Sequence, residues 1–136
     1  MTVLRPDGFA LPDKLMAKAR SAADASGGSV RETDDRADAM EGAHVIYAKS
    51  WSSTTHYGDR NAEEEARRGL EDWCVDEDWF EPAAEDCRFM HCLPVRRGVV
   101  VEDAILDGPR SVVIQEARNR MLAQMAVLHT MLGSGQ

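Results

Sequence analysis

Short runs of β-branched and aromatic residues alternate along the chain with stretches whose apolar positions recur every three or four residues. That pattern belongs to parallel strands joined by covering helices, and not to a sandwich or a helical bundle. Five strands are predicted, at approximately Thr2 to Leu4, Ser29 to Glu32, His44 to Ala48, Arg88 to His91 and Ser111 to Ile114, the last three being the most apolar. Pro12 opens a helix on which Leu15, Met16, Ala19, Ala22 and Ala23 recur, and Gly27-Gly28 ends it. A shorter helix from about Asp35 to Met40 closes at Gly42, and the charged stretch Glu63 to Arg68 offers Glu63–Arg67 and Glu64–Arg68 pairs on a solvated helix. Asp76 is placed to cap a helix carrying Trp79 and Phe80. Met121, Met125, Leu128 and Leu132 form a stripe on a terminal helix, the usual mark of a core face. The expectation is an α/β fold with a mostly parallel, five-stranded sheet covered by helices, Rossmann-like in layering, with the tail from Gly133 to Gln136 disordered.

Length and composition narrow this further. With 136 residues the chain is read as one domain, 1–136, long enough for a single core and too short for two. Its 16 basic and 24 acidic side chains leave a formal charge of −8, which repels nucleic-acid backbones and anionic membranes, so neither is expected as a partner. The local exceptions, Arg96-Arg97 and Arg118 with Arg120, are basic spots suited either to a small anion or to plain solvation. Cys74, Cys87 and Cys92 are an odd number of cysteines at no zinc-ribbon spacing, and no charged and then apolar leader opens the chain. Reduced thiols and a cytoplasmic location are expected. No apolar run reaches the roughly 18 to 20 residues of a membrane helix. A nucleotide-binding Rossmann domain is disfavoured because no Gly-x-Gly-x-x-Gly follows a strand. The first strand begins at Thr2 with nothing before it to cover it, as if a larger protein had been entered partway through.

In an open parallel sheet, ligands collect at the carboxyl ends of the strands. Three segments meet that condition: Lys49-Ser50-Trp51, His91-Cys92-Leu93-Pro94-Val95-Arg96-Arg97, and Gln115-Glu116 running on to Arg118-Asn119-Arg120. Each has a plain structural explanation. Cys92 alone reads as a small buried hydrophobe, His91 as a core histidine with one satisfied hydrogen bond, Trp51 as packing, and Lys49, the only lysine after Lys18, as an exposed strand end.

Taken together, the same residues resemble a known family. His91-Cys92-Leu93-Pro94 is similar to the signature of ornithine-type carbamoyltransferases. The resemblance runs on through Val95-Arg96-Arg97-Gly98, Asp107-Gly108-Pro109, Ser111-Val112-Val113 and Glu116-Ala117-Arg118-Asn119-Arg120. Upstream, Tyr47-Ala48-Lys49-Ser50-Trp51 is similar to the branch acting on N-acetylornithine and N-succinylornithine.

The resemblance implies transfer of a carbamoyl group from carbamoyl phosphate to the side-chain amine of an ornithine derivative, in arginine biosynthesis, with no metal or organic cofactor. It puts Cys92 and Leu93 beside the carbamoyl group, with the Leu93 carbonyl accepting from an NH group there. It gives Arg120 a contact with carbamoyl phosphate, Pro94 the task of fixing the loop, and Arg96 a supporting charge near the amino-acid substrate. Enzymes of free ornithine carry an acidic residue two positions before the tryptophan, to pair with the α-ammonium. Lys49 stands there instead, suited to the α-carboxylate that remains once the amine is acylated, so an acylated ornithine is expected. Some acylornithine enzymes have a further lysine eight positions after the signature cysteine, where this chain has Val100.

The family's amino-terminal domain, with its Ser-x-Arg-Thr-Arg and His-Pro-x-Gln motifs for carbamoyl phosphate, has no counterpart in these residues. Intact members are homotrimers with shared active sites. The chain is therefore expected to be the amino-acid-substrate-binding, carboxyl-terminal half of such an enzyme, inactive alone and unknotted. The competing expectations are a non-catalytic truncated α/β module and a fragment of an ornithine carbamoyltransferase.

Overall fold

Two parallel strand pairs organise the chain in the computed structural model, which describes residues 1–49 and 52–133. Strand β1 (Thr2–Leu4) pairs with β2 (Arg31–Thr33), and β3 (Val45–Tyr47) pairs with β4 (Arg88–Met90). The crossovers are helical, as parallel neighbours require. Helix α1 (Asp13–Ala25) joins β1 to β2, and α2 (Arg36–Met40) leads from β2 to β3. Between β3 and β4 lie α3 (Arg60–Arg67) and two single turns of 3₁₀ helix, Glu71–Trp73 and Glu77–Phe80. After β4 come α4 (Asp103–Leu106) and the long α5 (Val113–Gly133).

The α/β reading and the parallel direction hold, but the expected five-stranded sheet is smaller and divided. The second strand sits two residues later than its expected start. The fifth strand, expected at Ser111 to Ile114, is reduced to one parallel bridge between Ser111 and Phe89. A short apolar run reads equally as a buried strand or as the start of a buried helix. Here the helix wins: the Glu116 N–H already donates to the Val112 carbonyl at 2.9 Å, so α-helical bonding begins where the strand should continue.

Local chemistry sets the other ends. The Asp35 side chain accepts from the Asp38 N–H, the Asp59 side chain from Asn61 and Ala62, and the Asp76 side chain from Asp78, each satisfying donors that a helix start leaves over. The Glu63–Arg67 pair forms at 2.5 Å as its i,i+4 spacing predicts. Arg68 instead takes Glu65, three residues back, and not Glu64. In the Asp107-Gly108-Pro109 turn, a side chain at Gly108 would overlap the Ala104 carbonyl oxygen, so only glycine lets the chain pass α4 this closely.

The core lies around β3 and β4. Cys87, Phe89 and Val101 are fully buried with Ile46, Val75, Trp79, Phe80, Ile105, Leu106 and Val113. The rings of Trp73 and Trp79 meet edge to face at 6.1 Å, and Arg36 and Arg110 cover Trp79 and Phe80 from outside. The methionine stripe does not join this core. Only Val113 of α5 is buried, whereas Met125 is 57% exposed and Leu132 81% exposed. Residues 121–133 are apolar on nearly every side, which no single packing face within these residues can cover. That helix is described as far as Gly133, and the rest of the expected tail lies outside the described residues.

Candidate active site

Parallel pairing carries two sequence-distant segments to the same edge. In the β3–β4 register Tyr47 lies opposite Met90, and two residues beyond each of them the side chains of Lys49 and Cys92 meet. The Ala48 N–H donates to the Met90 carbonyl at 3.0 Å, so the pairing continues past the named strands. Since strand side chains alternate, Tyr47 and Lys49 fall on one side together. The Lys49 ammonium donates to Cys92 Sγ at 3.2 Å.

Helix α5 closes the group from the other direction. Its start is tied to β4 by the Val112 N–H donating to the Phe89 carbonyl at 3.0 Å. Glu116 and Arg120, one turn apart, then reach back to the strand ends. Glu116 Oε1 accepts from the Tyr47 hydroxyl at 2.7 Å, and Arg120 Nη1 donates to the Cys92 carbonyl at 2.9 Å. The hydrogen bond to Glu116, then burial and the carboxylate's charge, and more weakly Cys92, push the Tyr47 phenol up to about 12.

Beneath the exposed residues lies His91, 1% exposed. Its Nδ1 accepts from the Leu93 N–H at 2.9 Å. Leu93 has φ of +51°, the left-handed region that a branched side chain rarely enters, and the Leu93–Pro94 peptide is cis. Burial, seconded by the Lys49 cation, lowers the His91 pKa against a smaller opposing pull from Glu116.

Of the residues singled out from sequence, Lys49, Cys92, Leu93, Pro94 and Arg120 come together, while Ser50 and Trp51 lie outside the described residues. Arg96 is exposed after the loop and takes no part in the contacts around Cys92. The anion spot expected at Arg96-Arg97 is halved. Arg97 spans Asp103 at 2.6 Å and Asp107 at 2.7 and 2.8 Å, an exposed ion network that raises the Arg97 pKa and lowers that of Asp107 and fastens the loop to α4. Val100, at the position where a lysine was considered, is buried. Two members of the group, Tyr47 and Glu116, enter the sequence reading only as parts of longer motifs. The signals that could have found them were the i,i+2 spacing of Tyr47 to Lys49 on a strand and the i,i+4 spacing of Glu116 to Arg120 on a helix.

The arrangement offers two cations and a thiol at the ends of two paired strands. A hollow of about 300 Å³ on α3 is lined by Arg60, Glu63, Glu64 and Arg67 and by none of the clustered residues. Among the described residues no three His, Cys, Asp or Glu side chains are grouped to hold a metal ion, and no helix is long and apolar enough to cross a membrane.

Residues 1–131 match the family model for the aspartate/ornithine carbamoyltransferase, Asp/Orn binding domain. The chain belongs to this carbamoyltransferase family. The ornithine carbamoyltransferase of Oceanobacillus iheyensis is 36% identical over 132 residues, covering 97% of this chain and 40% of that protein. That of Pyrococcus abyssi is 39% identical over 133 residues, covering 98% and 41%. Among solved structures, acetylornithine transcarbamylase complexed with acetylcitrulline superposes with a TM-score of 0.87 at 35% identity, over 95% of this chain and 39% of that one. A variant of N-acetyl-L-ornithine transcarbamylase complexed with carbamyl phosphate and N-succinyl-L-norvaline gives the same values. The chain thus spans about 40% of the length of the carbamoyltransferases it resembles.

Proposed function

We propose that this chain is the amino-acid-substrate half of a carbamoyltransferase that transfers carbamoyl from carbamoyl phosphate to the side-chain amine of N-acetylornithine or N-succinylornithine. The observation that carries the reading is the Lys49 ammonium at 3.2 Å from Cys92 Sγ, a cation set into the signature loop where an ornithine enzyme of this family would hold a carboxylate. Lys49 would receive the substrate's α-carboxylate, and an acylated α-amine brings no charge that the lysine would repel.

Transfer requires a neutral amine on the carbonyl carbon, a polarised carbonyl and cations around the departing phosphate. The Leu93 carbonyl would accept from the NH group of the carbamoyl or of the attacking amine. Cys92 serves by position beside the carbamoyl group, and Pro94 fixes the loop. Arg120, already held on the Cys92 carbonyl, would turn to an oxygen of carbamoyl phosphate, with Arg96 adding charge nearby. As the new N–C bond forms, the C–O bond to phosphate breaks and the amine proton leaves with solvent or phosphate. The remaining phosphate donors would come from the amino-terminal domain, and a homotrimer sharing its sites would complete the enzyme in the cytoplasm.

A second reading, free ornithine as acceptor, is favoured by relatives such as those of Oceanobacillus iheyensis and Pyrococcus abyssi, which are ornithine carbamoyltransferases. Supplying the chain with the carbamoyl-phosphate domain of a relative, fused or co-expressed, and comparing kcat/KM for N-acetylornithine, N-succinylornithine and ornithine decides between them. Preference for ornithine would overturn the first reading, and no transfer to any of the three would overturn both. The chain alone should show no transfer above background. Losing one preorganised donor costs about a hundredfold to a thousandfold in rate, and these 136 residues span only about 40% of the length of their relatives and carry none of the phosphate motifs expected of the amino-terminal domain.

A further inference from the structure

We propose that His91 is the positioning residue of the Cys92-Leu93-Pro94 turn, held as the Nε2-protonated tautomer so that its Nδ1 locks the Leu93 N–H and thereby the direction of the Leu93 carbonyl. That this carbonyl faces a substrate rests on the function proposed above; the tautomer and the locked turn do not.

Three observations meet here. The ring is almost wholly buried, so its orientation is set by packing and not by solvent. Nδ1 accepts from the Leu93 N–H at 2.9 Å, and a ring nitrogen that accepts carries no hydrogen, which places the neutral ring's single proton on Nε2. Leu93 holds φ of +51°, a conformation that leucine adopts only when its surroundings over-determine it. The acceptor two residues back is such a determinant: it captures the backbone donor of the left-handed residue itself.

The ring's surroundings keep it neutral. Burial disfavours a second ring proton, as does Lys49 just past the end of β3, while Glu116 on α5 opposes them more weakly. Tyr47, Cys92 and Arg120 complete the titratable and charged groups of the cluster, tied to Glu116, Lys49 and the Cys92 carbonyl respectively. A proton on Nδ1 would point at the Leu93 N–H and remove the lock. Nε2 is buried with no hydrogen-bond partner among the described residues, so no contact on that side competes for the tautomer.

Long-range ¹⁵N spectra of the purified chain read the tautomer directly, with the His91 signals identified by their loss in His91→Phe. Amide hydrogen exchange at Leu93 reads the lock. The expected result is an Nε2–H imidazole through neutral pH and a protected Leu93 amide. His91→Phe, which fills the space without an acceptor, should speed Leu93 exchange roughly tenfold, the effect of one hydrogen bond. His91→Asn, whose Oδ1 can sit where Nδ1 sits, should restore protection. The amides of Phe89 and Val112, bonded to Arg110 and Phe89, should stay unchanged in both variants. An Nδ1–H or doubly protonated ring in the wild-type chain overturns the proposal whether or not the variants fold. Equal Leu93 exchange with and without the acceptor overturns it as well. Neither outcome touches substrate choice, which the kinetic comparison tests separately.

Discussion

Lys49 and Cys92, 43 residues apart in the chain, meet at 3.2 Å because β3 and β4 run parallel in a register that pairs Tyr47 with Met90, two residues before each. The contact places an ammonium beside the signature thiol at hydrogen-bonding distance. What that charge selects is the first thing to test.

Lys49→Asp, made in a protein completed with the carbamoyl-phosphate domain, should move preference from acylated toward free ornithine. The aspartate would repel the α-carboxylate and attract a free α-ammonium. A shift of at least roughly tenfold in the ratio of kcat/KM values is expected, the scale of one hydrogen bond to a charged group. An unchanged ratio would sink the assignment of Lys49 to the α-carboxylate.

Cys92 should be inert as a covalent nucleophile. Under the proposed function the amine would attack carbamoyl phosphate directly, and the thiol would contribute by its place next to Leu93. Rapid quench of the completed enzyme with labelled carbamoyl phosphate, followed by peptide mass analysis, should recover no carbamoylated Cys92, whereas stoichiometric label there would refute this role.

Tyr47 should ionise near 12, against an ordinary 10, chiefly because its hydroxyl donates to Glu116. A pKa raised by folding means that the unfolded chain loses this proton first. The stabilisation is therefore complete below pH 10 and lost as pH rises from 10 through about 12. Spectrophotometric titration should show a late phenolate step that disappears in Tyr47→Phe and moves to lower pH in Glu116→Gln. If the step stays put in Glu116→Gln, the hydrogen bond is not its cause.

The exposed apolar length of α5 should make the isolated chain self-associate, since Met121, Met125, Leu128 and Leu132 lie open to water on a helix that carries no charged side chain beyond Arg120 except His129 when protonated. Sedimentation should show association that rises with concentration. The double variant Met125→Lys, Leu128→Lys should shift the chain toward monomer while leaving its circular dichroism near that of the parent. A parent that remains monomeric at high concentration would show that the stripe is not adhesive.

The sequence alone determined the alternation of strand and helix, the parallel class, the helix start at about Asp35, the capping aspartate Asp76, and the loop carrying His91, Cys92, Leu93 and Pro94. These are local: periodicity, a side chain bonding its own backbone two or three residues on, and a contiguous motif all lie within a few residues of one another. Tertiary structure decided what depends on distant partners. It turned Ser111 to Ile114 from strand to helix start and left the α5 stripe uncovered, because an apolar face says that it will be buried and not by what. It also withdrew Arg97 into an ion network and brought Tyr47 onto Glu116. Most consequentially it set Lys49 against Cys92. A shift of one residue between β3 and β4 would turn Lys49 to the opposite side of the sheet, so the charge at the signature loop exists only through the register of two strands.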